Sequence, residues 1–135
     1  GKWLAYESTE SGREEVYVRP FPNTRDGKFP VSAHGGLAPL WSHSGKELFY
    51  LNGAFEMVVA TIRPGATFAV EREKVLFPTK NTYFYSSNYR QFDVSPDDRR
   101  FMMWRRASSG GPQGAPVDLI LVENWFSELK ARVGK

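Results

Sequence analysis

The sequence predicts an all-β chain, made of about two and a half to three antiparallel four-stranded β-propeller blades and a short C-terminal helix. Three observations predict this partial propeller. Aromatic and β-branched residues fall in short runs bounded by Gly, Pro, Asn and Ser, as strands and turns require. A strand–turn–strand pattern occurs twice: Phe92 to Trp104 around Ser95-Pro96-Asp97, and Leu40 to Tyr50 around Ser42-His43-Ser44-Gly45. Its second half opens the chain as Gly1-Lys2-Trp3-Leu4-Ala5-Tyr6. Aligning Gly1, Gly45 and Asp98 gives spacings of 44 and 53 residues. Repeats of that length, built from short strands, suit propeller blades.

Each element follows from local chemistry. Trp3 to Tyr6 is a short apolar strand, and Ser11-Gly12 supplies the next turn. Val16 to Arg19 is a second strand, stopped by Pro20 and Pro22. After the Asn23 to Gly27 loop, Lys28 to Ser32 reads as an edge strand, where Pro30 can spare its N–H. His34-Gly35-Gly36 then connects to the second hairpin. Glu56 to Ile62 is a strand, Pro64-Gly65 turns the chain, and Glu73 to Phe77 closes the unit. A polar connector from Pro78 to Gln91 carries Tyr83, Phe84, Tyr85 and Tyr89.

In the third hairpin, Ser95 accepts from the backbone, Pro96 fixes φ and Asp97 suits a type I turn. The residue after such a turn enters the left-handed region, which places Asp98 there. Ser108 to Gly114 is a loop and Val117 to Val122 the last strand. Asn124 can cap the one helix, with Trp125, Phe126 and Leu129 on its apolar side. With blade strands lettered a to d, residues 1–33 form a blade lacking its first strand. Residues 34–80 form a complete blade, and 81–135 a blade followed by the helix. Closed propellers use at least about four blades. The chain therefore reads as a fragment of a longer protein that self-associates to complete a propeller.

Composition bounds the rest. With 41% hydrophobic and 15% aromatic residues, 135 residues are enough for an ordered core. A net charge of +3, with both signs interspersed, does not single out an acidic partner. The absence of cysteine excludes disulfides and thiolate chemistry. No apolar run approaches the ~20 residues that span a bilayer, so no membrane segment is expected. The chain starts inside a strand, so no signal peptide is expected either.

The Ser95-Pro96-Asp97 turn, followed by a basic residue and an apolar strand, resembles the WD40-like repeat of TolB-like β-propellers. Trp3 to Tyr6, the run Glu15-Val16-Tyr17-Val18-Arg19-Pro20-Phe21-Pro22 and the ending Leu121 to Lys130 are similar to one subgroup. That subgroup forms the C-terminal propeller of bacterial serine/threonine protein kinases and related membrane-anchored regulators. The resemblance covers nearly the whole chain. It implies a non-enzymatic binding or sensory module on the extracytoplasmic (periplasmic or cell-surface) side. Two departures stand out: His43-Ser44 replaces Pro-Asp in the middle turn, and Asp98 replaces Gly. No Gly-rich loop, catalytic Asp loop or Mg-binding Asp motif is present, so no kinase activity is carried over.

Candidate chemistry is sparse. The histidines are His34 and His43, and no Gly-x-Ser-x-Gly elbow accompanies them. His34-Gly35-Gly36 has the look of an oxyanion loop but lacks a nucleophile, and reads as a turn. Gly45-Lys46 lacks the remainder of a phosphate loop. Asp93, Asp97 and Asp98 surround a tight turn, with Arg99 and Arg100 competing for them, which disfavours Ca²⁺. No catalytic residue, metal or cofactor is expected. Arg99, Arg100, Arg105 and Arg106 near Trp104 suggest a nucleic-acid surface, but strand alternation splits them between faces. Trp3, Phe49, Met102 and Trp104 read as core between blades.

Position carries the remaining argument. Connectors on one propeller rim gather the long segments, which gives a candidate binding rim of His34, Tyr83, Tyr85, Tyr89 and Arg90. The expected partner is a protein or small-molecule ligand. The alternative reading is a gating propeller of a prolyl-oligopeptidase-like hydrolase, whose catalytic domain would lie outside this chain.

Overall fold

The structure, a computed structural model, describes residues 1–80, 92–105 and 118–122. Among them the chain is all-β, with ten strands in three antiparallel sheets. The first sheet is β1 (Trp3–Ser8), β2 (Glu15–Pro20) and β3 (Phe29–Pro30), in that order. The second is β4 (Gly36–Trp41), β5 (Glu47–Asn52), β6 (Glu56–Ile62) and β7 (Val70–Pro78). The third holds β8 (Phe92–Val94), β9 (Phe101–Arg105) and β10 (Asp118–Val122), with β9 in the middle. Each sheet is a meander, so consecutive strands pair throughout. The chain divides into two compact units, Gly1–Pro78 and Thr79–Lys135.

In the first unit the two sheets pack face to face. Val16 and Val18 of the first, with Val31 just after β3, meet Leu48, Tyr50, Val58, Ala60 and Ile62 of the second, with Phe68 just before β7. Trp3, Ala5, Phe29, Trp41 and Val70 pack around them. Strand alternation selects these residues: Trp3 and Ala5 face the core, while Leu4 between them is 44% exposed. Trp3 meets Phe29 and Phe68 edge-on, with centroids 5.9 and 5.4 Å apart. Such pairs add about 0.5–1.5 kcal/mol beyond area burial. β5 is buried on both faces, since Phe49 and Leu51 are as covered as Leu48 and Tyr50.

The two hairpin turns share one hydrogen-bond pattern. Gly45 N–H donates to the Ser42 carbonyl at 3.0 Å, and Asp98 N–H to that of Ser95 at 2.8 Å. Each serine also closes the hairpin: Ser42 N–H donates to the Glu47 carbonyl, and Ser95 N–H to that of Arg100. Their hydroxyls accept from Glu47 N–H (3.1 Å) and Arg100 N–H (3.0 Å). Replacing Pro-Asp by His43-Ser44 leaves this geometry intact, because Ser42 and the bulge residue supply it.

Several expectations change. Met102 and Trp104 are not core but 42% and 45% exposed, because alternation gives the covered face to Phe101 and Met103. β4 starts at Gly36 rather than Leu40, bulging between Leu37 and Leu40 where Ala38 has φ 51°. β3 is only a two-residue pairing, although Val31 N–H still reaches the Val16 carbonyl at 2.9 Å. The helix from Asn124 lies outside the described residues.

Asp98 occupies the left-handed region at φ 57°, where Gly45 in the matching turn has φ 68°. Asp98→Gly is therefore expected to stabilise the protein by about 0.5–1 kcal/mol, by relieving Cβ strain. Urea melts at neutral pH measure it; a loss of stability would show that the Asp98 side chain is worth more to the turn than the strain costs.

Candidate functional site

Glu15 is an acid at the head of β2, directly before Val16-Tyr17-Val18, and it is only 4% exposed. Burial of a carboxylate demands donors, and the residues around it supply them. Ser32 Oγ–H donates to one oxygen in a short bond, and Gly35 N–H is shared between both at 3.0 and 3.1 Å. Arg13 Nε–H donates from 2.7 Å. Ser32 Oγ in turn accepts Val16 N–H at 2.8 Å, and Gly36 N–H donates to the Glu14 carbonyl at 2.9 Å. Arg13 Nη2 also reaches the Ala33 carbonyl at 2.6 Å. The connector between the first two sheets is thus clamped to the start of β2.

Desolvation pushes the Glu15 carboxyl upward, but the Ser32, Gly35 and Arg13 donors outweigh it and hold it below its ordinary value. Beside the clamp lies a cleft of about 400 Å³. Ser11, Gly12, Arg13, Glu15, Tyr17, Ser32 and Ala33 line it. From Tyr17 a ladder of aromatic rings and cations continues along the sheet. Tyr6 stacks on Tyr17 with centroids 5.8 Å apart. The Arg19 guanidinium lies over Tyr6 and donates to its hydroxyl at 2.9 Å. The Lys28 ammonium lies 5.0 Å from the centre of the Tyr17 ring and pairs with Glu10 at 3.0 Å.

Of the expected rim, His34 is exposed and follows Ala33 in sequence. Tyr83, Tyr85, Tyr89 and Arg90 lie outside the described residues. His34-Gly35-Gly36 is a packed crossing: the Gly35 and Gly36 N–H groups are taken by Glu15 and Glu14. A Cβ on Gly36 would overlap the Ser32 side chain, and one on Gly53 the His34 carbonyl. Near the third turn, Asp97 accepts from Ser95 Oγ–H and Arg99 N–H, which draw its carboxyl below the usual range. Asp93 accepts from Val94 N–H. No cluster of three metal-ligating side chains occurs among the described residues. Arg99 and Arg100 are exposed, with Arg100 4.0 Å from Asp97, and Arg106 lies outside the described residues.

Arg13, Glu15, Ser32 and Tyr17 were not singled out by sequence as site residues. The readable signal was an acid immediately preceding a Val-x-Val strand, with Ser two residues before His34-Gly35-Gly36. No protein-family model matches the chain, and a search of curated proteins also gives no match.

Glu15→Ala is expected to cost about 2–4 kcal/mol at pH 7, because Ser32 and Gly35 keep buried donors without an acceptor. The pH dependence has a definite sign. The folded carboxyl titrates below the unfolded value of about 4.3, so its stabilisation is complete above that value and lost as pH falls through the folded one. Thermal melts from pH 7 to pH 3 should show this acid limb, and Glu15→Gln should flatten it. An unchanged limb in Glu15→Gln would assign the acid sensitivity to other carboxylates.

Proposed function

We propose that this chain is a non-enzymatic binding or sensory module, a run of β-propeller blades resembling the kinase-linked TolB-like class. It serves as an interaction fragment of a larger regulatory protein on the extracytoplasmic side. One observation carries the blade reading: positions equivalent by repeat differ in exposure as stacked blades require. Leu48 and Tyr50 of β5 are buried beneath the first sheet. Their equivalents on β1 are Leu4, at 44% exposed, and the half-buried Tyr6. In the third sheet Phe101 and Met103, at the same repeat positions, are buried, while Met102 and Trp104 on the reverse face are exposed. Within the first unit the two sheets cover one another through one face each, and the Leu4 side of the first sheet is left exposed.

A cleft lined by exposed Arg13, aromatic Tyr17 and the small polar Ser11 and Ser32 suits recognition of a protein or small polar ligand rather than bond cleavage. Uncovered apolar faces favour symmetric association, so the isolated chain is expected to be a homodimer or larger ring. Light scattering at micromolar concentration tests this. Trp104→Asp and Leu4→Asp should shift the mass toward monomer with an unchanged β-type circular dichroism spectrum. A stable monomer at tens of micromolar would rule out ring completion by self-association.

A further inference from the structure

We propose that the open edge of β1 is a strand-addition site, taking an extended apolar peptide segment antiparallel to β1. This rests on the interaction-module reading and specifies where a partner docks. The edges of the first unit are not alike. β3 carries Pro30, and β4 carries Pro39 beside a bulge at Ala38. β7 exposes Glu71, Arg72, Glu73 and Lys74, with two register shifts. Prolines, bulges and charges are the devices by which sheet edges refuse other strands. β1 reads Trp-Leu-Ala-Tyr-Glu-Ser in unbroken register with β2 and has no proline, lysine or bulge. The carboxylate of its one charged residue, Glu7, is engaged by Ala38 N–H at 2.7 Å.

The outward-facing groups of β1 can be identified. Phe21 N–H donates to the Lys2 carbonyl, so Lys2 and its alternate residues Leu4 and Tyr6 bond toward β2. Trp3, Ala5 and Glu7 then aim their N–H and C=O groups at the open edge. The second sheet shows independently what such groups accept. There Ser42 N–H bonds to the Glu47 carbonyl, which places Leu40 opposite Phe49 as the next bonded pair. By repeat, Glu47 and Phe49 correspond to Trp3 and Ala5. β4 thus supplies to β5 what β1 lacks among the described residues, and its sequence defines the chemistry of the guest. That guest is an extended segment with a large apolar residue toward the Trp3 and Phe29 cluster. Main-chain bonds give such complexes their affinity and alternate side-chain pockets their specificity.

The probe is a synthetic peptide copying residues 35–42, Gly-Gly-Leu-Ala-Pro-Leu-Trp-Ser, added to ¹⁵N-labelled full chain at low micromolar concentration. Binding with a dissociation constant of about 1 mM or better is expected, with amide exchange slowed at Trp3, Ala5 and Glu7 but not at Leu4 or Tyr6. The same peptide N-methylated at the residues matching Leu40 and Ser42 should bind about tenfold more weakly or worse, as removing backbone hydrogen bonds requires. Ala5→Pro should do likewise, since it removes an outward N–H and spares the bonds to β2. The methylated peptide gives the same answer if that variant does not fold. Absence of binding, protection at other residues, equal binding of the methylated peptide, or amides at Trp3 and Ala5 already protected in the free chain would each overturn the proposal. A monomeric chain that still gains this protection would retire ring completion and keep the edge site.

Discussion

The buried Glu15 carboxylate is the constraint on which the first unit depends. A charge at 4% exposure survives only where its lone pairs are filled, and three donors fill them from two separate segments. Meeting that demand fixes the path of residues 32–36, and this path fixes where β4 begins. Gly36 must lie so close to Ser32 that no side chain fits, and Gly35 must turn through φ 94° to bring its N–H onto the carboxylate. Two sheets that could slide on an apolar interface are thereby held in one register by polar bonds. The same bonds shape the cleft, because Glu15 and Ser32 are both clamp and lining.

The repeat works at the level of hydrogen bonds rather than residue identity. Ser-His-Ser-Gly and Ser-Pro-Asp-Asp make the same turn because the serine carbonyl, amide and hydroxyl are used identically in both. What differs is the cost: glycine enters the left-handed region freely, whereas Asp98 does so against its Cβ. Bulge geometry then sets which strand residues face which way. That is why Leu48 and Phe101, at equivalent places after the two turns, are both fully buried although their strands share no residue identity there.

Much of this was legible in the sequence. Proline stops, turn serines and strand periods located the strands, and the order of three, four and three strands followed from them. What escaped had non-local causes. Trp104 is aromatic and sits in an apolar run, so composition placed it inside; its face was decided by the turn, one residue of register away. Phe68 lies in an irregular stretch with no strand period, yet it is 5% exposed because Trp3, Phe29 and Trp41 close around it. The clamp was illegible because Glu15 and Ser32 are ordinary surface residue types, and only the fold brings them together. The expected rim of His34, Tyr83, Tyr85, Tyr89 and Arg90 was reached from connector positions; His34 is exposed, and the other four lie outside the described residues.

The outer face of the first sheet shows how the chain tolerates a surface that its repeat logic would cover. At the place where β6 carries Val58, β2 carries Tyr17, and it is only 6% exposed. Its cover is local: Tyr6 stacks on one side of it and the Lys28 stem and ammonium close over its ring. Arg19 does the same for Tyr6 and anchors itself on the Thr24 carbonyl at 2.8 Å. Long cationic side chains can shield apolar surface while keeping their charge in water. The face is therefore soluble without being sealed, since a cation over a ring is worth only about 0.5–1 kcal/mol at an exposed site and can be displaced. Among the described residues, β1 pairs with β2 alone, so the outward backbone groups of its other edge have no strand partner there. A guest that satisfied them would gain hydrogen bonds while disturbing only weak contacts, and that asymmetry favours the proposed edge site over the aromatic face.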